Sequence, residues 1–218
     1  MRIPKLDIRC RPDPTYRRLL GDEAWNRLST EIRLRFGLKP NDFKSSGRER
    51  IRYRGVMEEV RCSRAGWLLA QACRLIGTPL AFNRGRDVPV EVWVYKEAGG
   101  EGVAWERLYR FPGRRPVTVV SAKRPDRRDG LVECVGGGFG MVLRVFEADG
   151  SLNFLSLRYF WQLAHWRLPI PALLTPGTTH VVHGDEADGR FRFTMTVRHP
   201  WLGETYYQTG LFRAVEGI

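Results

Sequence analysis

From Asp87 onward the chain is cut at short intervals by turn dipeptides, and this spacing constrains the fold more than any other feature. The cuts are Gly99-Gly100, Pro112-Gly113, Asp129-Gly130, Asp149-Gly150 and Asp188-Gly189, all chemistry suited to tight hairpins. The segments they separate read as strands at roughly 88–97, 102–111, 116–123, 130–135, 139–148, 151–160, 178–186, 189–199 and 203–213. Such intervals leave no room for crossover helices, so neighbours must pair antiparallel. Two-residue alternation supports the assignment. Phe191, Phe193, Met195 and Val197 share one face, against Arg190, Arg192, Thr194, Thr196 and Arg198 on the other. Phe139, Met141, Leu143 and Val145 repeat the scheme. The fold class expected is α+β and β-dominated. An antiparallel meander of about nine to ten strands should curl into a barrel or half-barrel to protect its edges.

The first third has a different period. Pro14–Leu20 reads as a short helix ended by Gly21, and Asp22 to about Phe36 as a second, with Trp25, Leu28, Ile32 and Phe36 on one stripe. Gly37 suits a left-handed stop. A strand over Arg50–Cys62 precedes a helix over Ala65–Ile76, capped by Ser63, whose apolar face is Leu68, Leu69, Ala72, Cys73 and Ile76. Neither long helix is apolar all round, so both should lie on the sheet. The expectation is one domain over residues 1–218, with N-terminal helices at 14–37 and a helix-covered β-meander at 50–213.

Cys10, Cys62, Cys73 and Cys134 show no CxxC pair or regular spacing, which favours free thiols in a reducing compartment. The N-terminal run lacks a signal-peptide core, and Trp67–Ala72, the longest apolar stretch, is far too short to span a bilayer. A cytoplasmic protein with no membrane span is expected. The net charge is +12 and the pI about 10.1, an attraction for phosphates. The excess is nearly all arginine, spread along the whole chain. Without visible clustering on one face, nucleic acid is not an expected partner.

Several constellations could carry chemistry. Gly136–Gly140 resembles a phosphate loop, but strands flank it and no helix follows, so a hairpin or bulge is the better reading. His183 and Asp185 share a strand face while His180 points the other way, so no metal site is expected there. Glu91, Glu106 and Glu133 lie on strands. Two of them meeting inside a barrel would shift each other's pKa, unless Arg107, Arg144 or Arg158 neutralised them. No catalytic residue can be named, and no cofactor is expected.

Aromatics exceed what a plain core needs: Trp93, Tyr95, Trp105, Tyr109, Tyr159, Trp161, Trp166, Tyr206 and Tyr207. They suggest either a filled core or a ligand cavity. Candidate ligand-binding residues are Trp93, Tyr95, Arg107, Glu133, Arg158, Trp161, His165 and Tyr207. Phe160–Pro176 is apolar and interrupted by Pro169, Pro171 and Pro176, which excludes a central strand. It should fold over the barrel mouth or one sheet face, with a cavity beneath it.

A family resemblance joins these features. The run Arg54–Trp67, Asp87-Val-Pro-Val-Glu-Val92, Glu106-Arg107 with Phe111, and Gly130-Leu-Val-Glu133 carry it. So do Pro169-Ile-Pro171, Asp188-Gly-Arg-Phe-Arg-Phe193, Pro200-Trp-Leu-Gly203, Tyr207 and Gly210-Leu-Phe212. In this order they resemble the domain of unknown function 4166 over roughly residues 15–213. The resemblance implies a bacterial protein whose relatives are often fused behind an NAD(P)-binding dehydrogenase-like domain. This chain has none, so a redox role would need a dehydrogenase-like partner protein. The family's usual Gly-Trp-Leu ending is Gly210-Leu-Phe212 here, and no catalytic residues carry over. The leading expectation is a barrel that binds or carries a small apolar or amphipathic molecule. The alternatives are an accessory domain for a dehydrogenase-like protein, and an enzyme using strand-borne Glu and Arg.

Overall fold

The computed structural model describes residues 14–37, 50–75, 83–97, 102–164 and 166–215. The strands are β1 (Arg50–Cys62), β2 (Gly85–Lys96), β3 (Val103–Tyr109), β4 (Val117–Asp126), β5 (Gly130–Gly136) and β6 (Phe139–Ala148). They continue as β7 (Ser151–Leu163), β8 (Trp166–Ile170), β9 (Thr178–Asp185), β10 (Arg190–His199) and β11 (Gly203–Val215). Every pairing is antiparallel, in the order β6-β5-β4-β3-β2-β1-β11-β10-β9-β7, and β6 also pairs with β7. That last ladder closes a ten-stranded barrel, with β8 attached outside it. Closure satisfies the edges that an open meander would leave bare.

The turns behave as their residues require. Ala148 pairs with Ser151 across Asp149 and Gly150, at φ 50° and 72°. Gly136 pairs with Phe139 across Gly137 and Gly138, at φ 57° and 80°. Both central residues of each loop are left-handed, which matches the twist of a hairpin. The glycine run is therefore a turn.

One seam breaks the regularity. Leu152–Leu155 of β7 pair with β9, whereas Tyr159–Leu163 pair with β8. The Thr179 N–H still reaches Ser156 Oγ at 2.8 Å, and beyond that point β8 replaces β9 beside β7. Pro169 is tolerated because β8 is an edge strand. The chain then turns through a 3-10 segment, Ala172–Leu174, before entering β9. Part of the Phe160–Pro176 stretch, expected to be an irregular connection, is thus regular strand.

The N-terminal helices are α1 (Pro14–Leu20), α2 (Asp22–Arg27) and α3 (Thr30–Phe36). The single helix expected over 22–36 is broken at Leu28, which is extended at φ −62° and ψ 147°. Ser29 supplies the reason: its hydroxyl accepts from the Ile32 N–H and its own N–H reaches Gly150 O, so a new N-terminus is capped there. Gly37 sits at φ −85°, not in the left-handed region. These helices close one pole of the barrel. Phe36 packs edge-on to Tyr16 and His183 and stacks near Trp105. The pole is filled by Ile32, Phe36, Trp105, Phe154 and Phe191, all buried.

Helix α4 (Arg64–Leu75) follows β1 at the opposite pole. The Ser63 hydroxyl accepts from the Gly66 N–H, as the sequence suggested. Of its expected apolar face, Leu69 is half-buried and Leu68 exposed, while the side chains of Ala72, Cys73 and Ile76 lie outside the described residues. Gly66 and Ala70 are buried while Trp67 and Leu68 are exposed. Gly66 lies so close to Thr205 O that a Cβ would come within 2.1 Å. Close backbone approach decides that contact.

Candidate functional site

Strand alternation places the polar residues of the barrel interior. On β4, Val117, Val119, Ser121 and Lys123 share the inward face; on β5, Leu131, Glu133 and Val135 do. Lys123 and Glu133 are register partners, so their side chains meet inside. Lys123 Nζ lies 3.2 Å from Glu133 Oε2. Ser121 Oγ donates to Glu133 Oε1 at 2.7 Å and accepts from Arg107 Nη1 at 3.2 Å. Across the interior, Gln208 Oε1 accepts from the phenols of Tyr109 and Tyr206 at 3.1 and 3.0 Å.

These groups bound a cavity of about 180 Å³ on the side away from α1–α3. Its wall is mostly apolar, including Val119, Met141, Tyr159, Val181, Phe193 and Met195. Ile170, Leu174, Thr175 and Pro176, from the proline-rich segment, close it from above. Packing volume explains the location. The helix-capped half receives Phe36 as a plug, while the other half receives only the short 3-10 turn.

Electrostatics follow from burial. Desolvation lowers the Lys123 ammonium below the usual lysine range, opposed by Glu133. Desolvation pushes the Glu133 carboxyl upward, but Lys123, Arg107 and the Ser121 hydroxyl outweigh it and hold the group ionised below its usual value. His183 lies near the rings of Phe36, Trp105, Phe154 and Phe193. Burial, reinforced by Arg35, Lys123 and Arg107, drives its pKa well below 6.5. Its Nδ1 is buried without a hydrogen-bond partner.

Of the eight candidate residues read from the sequence, Arg107 and Glu133 line the cavity. Trp93 and Tyr95 face outward, because Val90, Val92 and Val94 take the interior. Tyr207 and Arg158 also face outward, and Arg158 pairs with Asp129. Trp161 stacks on Phe139 and donates to Gly137 O from outside the cavity. His165 falls outside the described residues. Of the three strand glutamates, only Glu133 points inward. Glu91 is held by Arg52 at 2.5 Å and Glu106 accepts from the Tyr95 phenol. The aromatic surplus has a different use. The guanidinium groups of Arg52, Arg50, Arg61 and Arg144 cover the outward rings of Trp93, Tyr95, Tyr207 and Phe146 at 5.8, 4.9, 4.2 and 5.6 Å.

Sequence reading missed Lys123, Ser121 and Gln208. The first two were within reach, since Val117-x-Val119-x-Ser121-x-Lys123 alternates as clearly as β10 does. His183 and His180 do lie on opposite faces, His180 outside with Asn153 Oδ1 at 3.0 Å. No cluster of three or more His, Cys, Asp or Glu side chains among the described residues is placed to hold a metal. Cys62 and Cys134 are free thiols. Among the described residues, no helix is long and apolar enough to cross a membrane.

The family model described as Domain of unknown function (DUF4166) matches residues 28–212. The chain belongs to that family. For this DUF4166 member the match runs from just after α2 to Phe212 of β11, so it takes in every barrel strand except the last three residues of β11. No curated protein and no solved structure matches the chain. The DUF4166 barrel is therefore understood from its own interior.

Proposed function

We propose that this barrel binds a small, partly apolar molecule carrying one anionic or strongly hydrogen-bond-accepting end, and acts as its carrier. The observation that supports this reading is Arg107. It faces a mostly apolar cavity, donates to Ser121, and forms no ion pair among the described residues. Glu133 is already matched by Lys123, so the cavity carries a cation without a counter-charge of its own. Convergent polar groups in an apolar pocket are the usual design of a ligand site. The volume suits a single ring or a short branched chain, since a cavity of about 150 Å³ holds benzene. Apolar walls would hold the body while Arg107, with Lys123 behind it, meets the acidic end.

The test is native mass spectrometry of the purified protein, followed by titration with benzoate and its uncharged analogue benzyl alcohol. Benzoate should bind more tightly, Arg107→Leu should erase that preference, and Val181→Phe should block both compounds by filling the cavity. The reading fails if nothing co-purifies, neither probe binds, and Val181→Phe simply raises the melting temperature.

A further inference from the structure

The pole opposite α1–α3 carries an unusual surface. Three segments meet there around two residues. Thr205 accepts from the Ser63 N–H through its backbone oxygen at 3.0 Å and donates from Oγ1 to Pro176 O at 2.8 Å. His199 Nδ1 accepts from the N–H groups of Trp201 and Leu202, both at 3.2 Å, leaving Nε2 to donate to Leu173 O at 3.4 Å. The start of α4, the 3-10 turn and the β10–β11 turn are thereby fixed side by side. Their tips present Trp67, Leu68, Leu173, Leu174, Trp201 and Leu202, each between 41% and 76% exposed. Leu174 belongs also to the wall of the cavity. At the helix-capped pole, no large apolar side chain among the described residues is exposed. Scattered exposed apolar residues need no explanation, but a collection at one pole does.

The surrounding charge points to what covers these tips. Arg64 at the start of α4, Arg84, Arg114 and Arg115 on loops, and Arg198 near the end of β10 lie around the same pole and are exposed. None has a carboxylate partner among the described residues; Arg114 donates only to Asn83 Oδ1. The carboxylates near them, Glu59 and Glu204, are already held by Arg61. Tryptophan and leucine tips ringed by uncompensated arginines match an interface that is apolar in depth and negatively charged at its surface. We propose that this pole docks onto a bilayer containing anionic phospholipid, with the cavity mouth facing the membrane. The leucines and tryptophans enter the acyl boundary and the arginines contact phosphate groups. Apolar ligands would then enter the barrel without crossing water. The surface exists whatever the cavity holds, so this inference stands apart from the ligand reading above.

The experiment is co-sedimentation of the protein, with no ligand added, with vesicles of phosphatidylcholine alone and of phosphatidylcholine mixed with phosphatidylglycerol. Partition onto the mixed vesicles should be stronger by about tenfold or more, and should fall as salt screens the arginines. The pairs Trp201→Ser with Leu202→Ser, and Arg114→Glu with Arg115→Glu, should each abolish it while leaving the thermal midpoint unchanged, since all four side chains are exposed. Equal or absent binding to both vesicle types overturns the proposal. So does light scattering that shows a stable dimer dispersed by Trp201→Ser with Leu202→Ser, because the platform would then be a protein interface.

Discussion

Lys123 and Glu133 stand opposite each other across the β4–β5 ladder, Nζ to Oε2 at 3.2 Å, with side chains only 4% and 8% exposed. Lys123 also lies over the rings of Phe154 and Trp105, at 5.1 and 5.6 Å. The pair thus marks the boundary between the packed half of the barrel and the hollow half.

Breaking this pair should be expensive. Glu133→Gln leaves a buried ammonium with no counter-charge, and should lower the unfolding free energy by about 3–5 kcal/mol in urea titrations. Replacing both partners together, Lys123→Met with Glu133→Leu, should leave stability within about 1 kcal/mol of the parent or raise it. A double variant as unstable as the single one would show that the pair's role is not compensation of charge.

Acid should destabilise the protein through His183 before it does so through Glu133. The folded His183 binds its proton less readily than the unfolded one, whose pKa is near 6.5. The unfolded state therefore holds more protons below that value. Stability should be flat above it and fall as pH drops, by at most about 1.4 kcal/mol per pH unit for this group. Glu133, also lowered in the fold, adds a second loss only as pH drops below its unfolded value of about 4.5. His183→Leu should flatten the profile between pH 5 and 6.5. An unchanged slope would assign that loss to other groups.

Phe193 is 8% exposed and belongs both to the core and to the cavity wall. Phe193→Ala should cost about 3–5 kcal/mol, as truncations of buried aromatic rings do. It should also widen the cavity. Thermal unfolding measures the first effect, and tighter binding of a bulkier aromatic acid measures the second.

Trp161 discriminates surface from site. It stacks on Phe139 with centroids 5.8 Å apart and bonds to Gly137 O, clamping the end of β7 to the β5–β6 turn. Trp161→Ala should lose about 0.5–1.5 kcal/mol of aromatic pairing plus the hydrogen bond. Binding of benzoate should not change. Loss of binding at full stability would place this ring in the ligand path.

The antiparallel order, the hairpin positions and the separation of helices from strands were all legible in the residues. Left-handed turn dipeptides and two-residue alternation are local, and a strand's own sequence carries them. Ser29, capping α3 and breaking the expected helix, was equally local and was outweighed by the continuity of the Trp25, Leu28, Ile32 and Phe36 stripe.

Which face of a strand points inward is a different matter. On β2 both faces are hydrophobic, Val90, Val92 and Val94 against Trp93 and Tyr95, and the alternation is symmetric. Only closure of the β6–β7 ladder decided that the valines fill the interior. Arg50 and Arg52, from the adjacent strand β1, then covered the outward rings. A place for the cavity, beneath the proline-rich segment, was legible; whether the interior there is filled or hollow was not, because that is a difference in filling. Phe36 plugs one pole, while β8 displaces β9 from the end of β7 and leaves the other pole to a single 3-10 turn. Alternation and turn chemistry belong to single segments and could be read from the sequence. The inward face, the meeting of Lys123 with Glu133 and the empty volume beside them depend on distances between segments, which only packing in three dimensions sets.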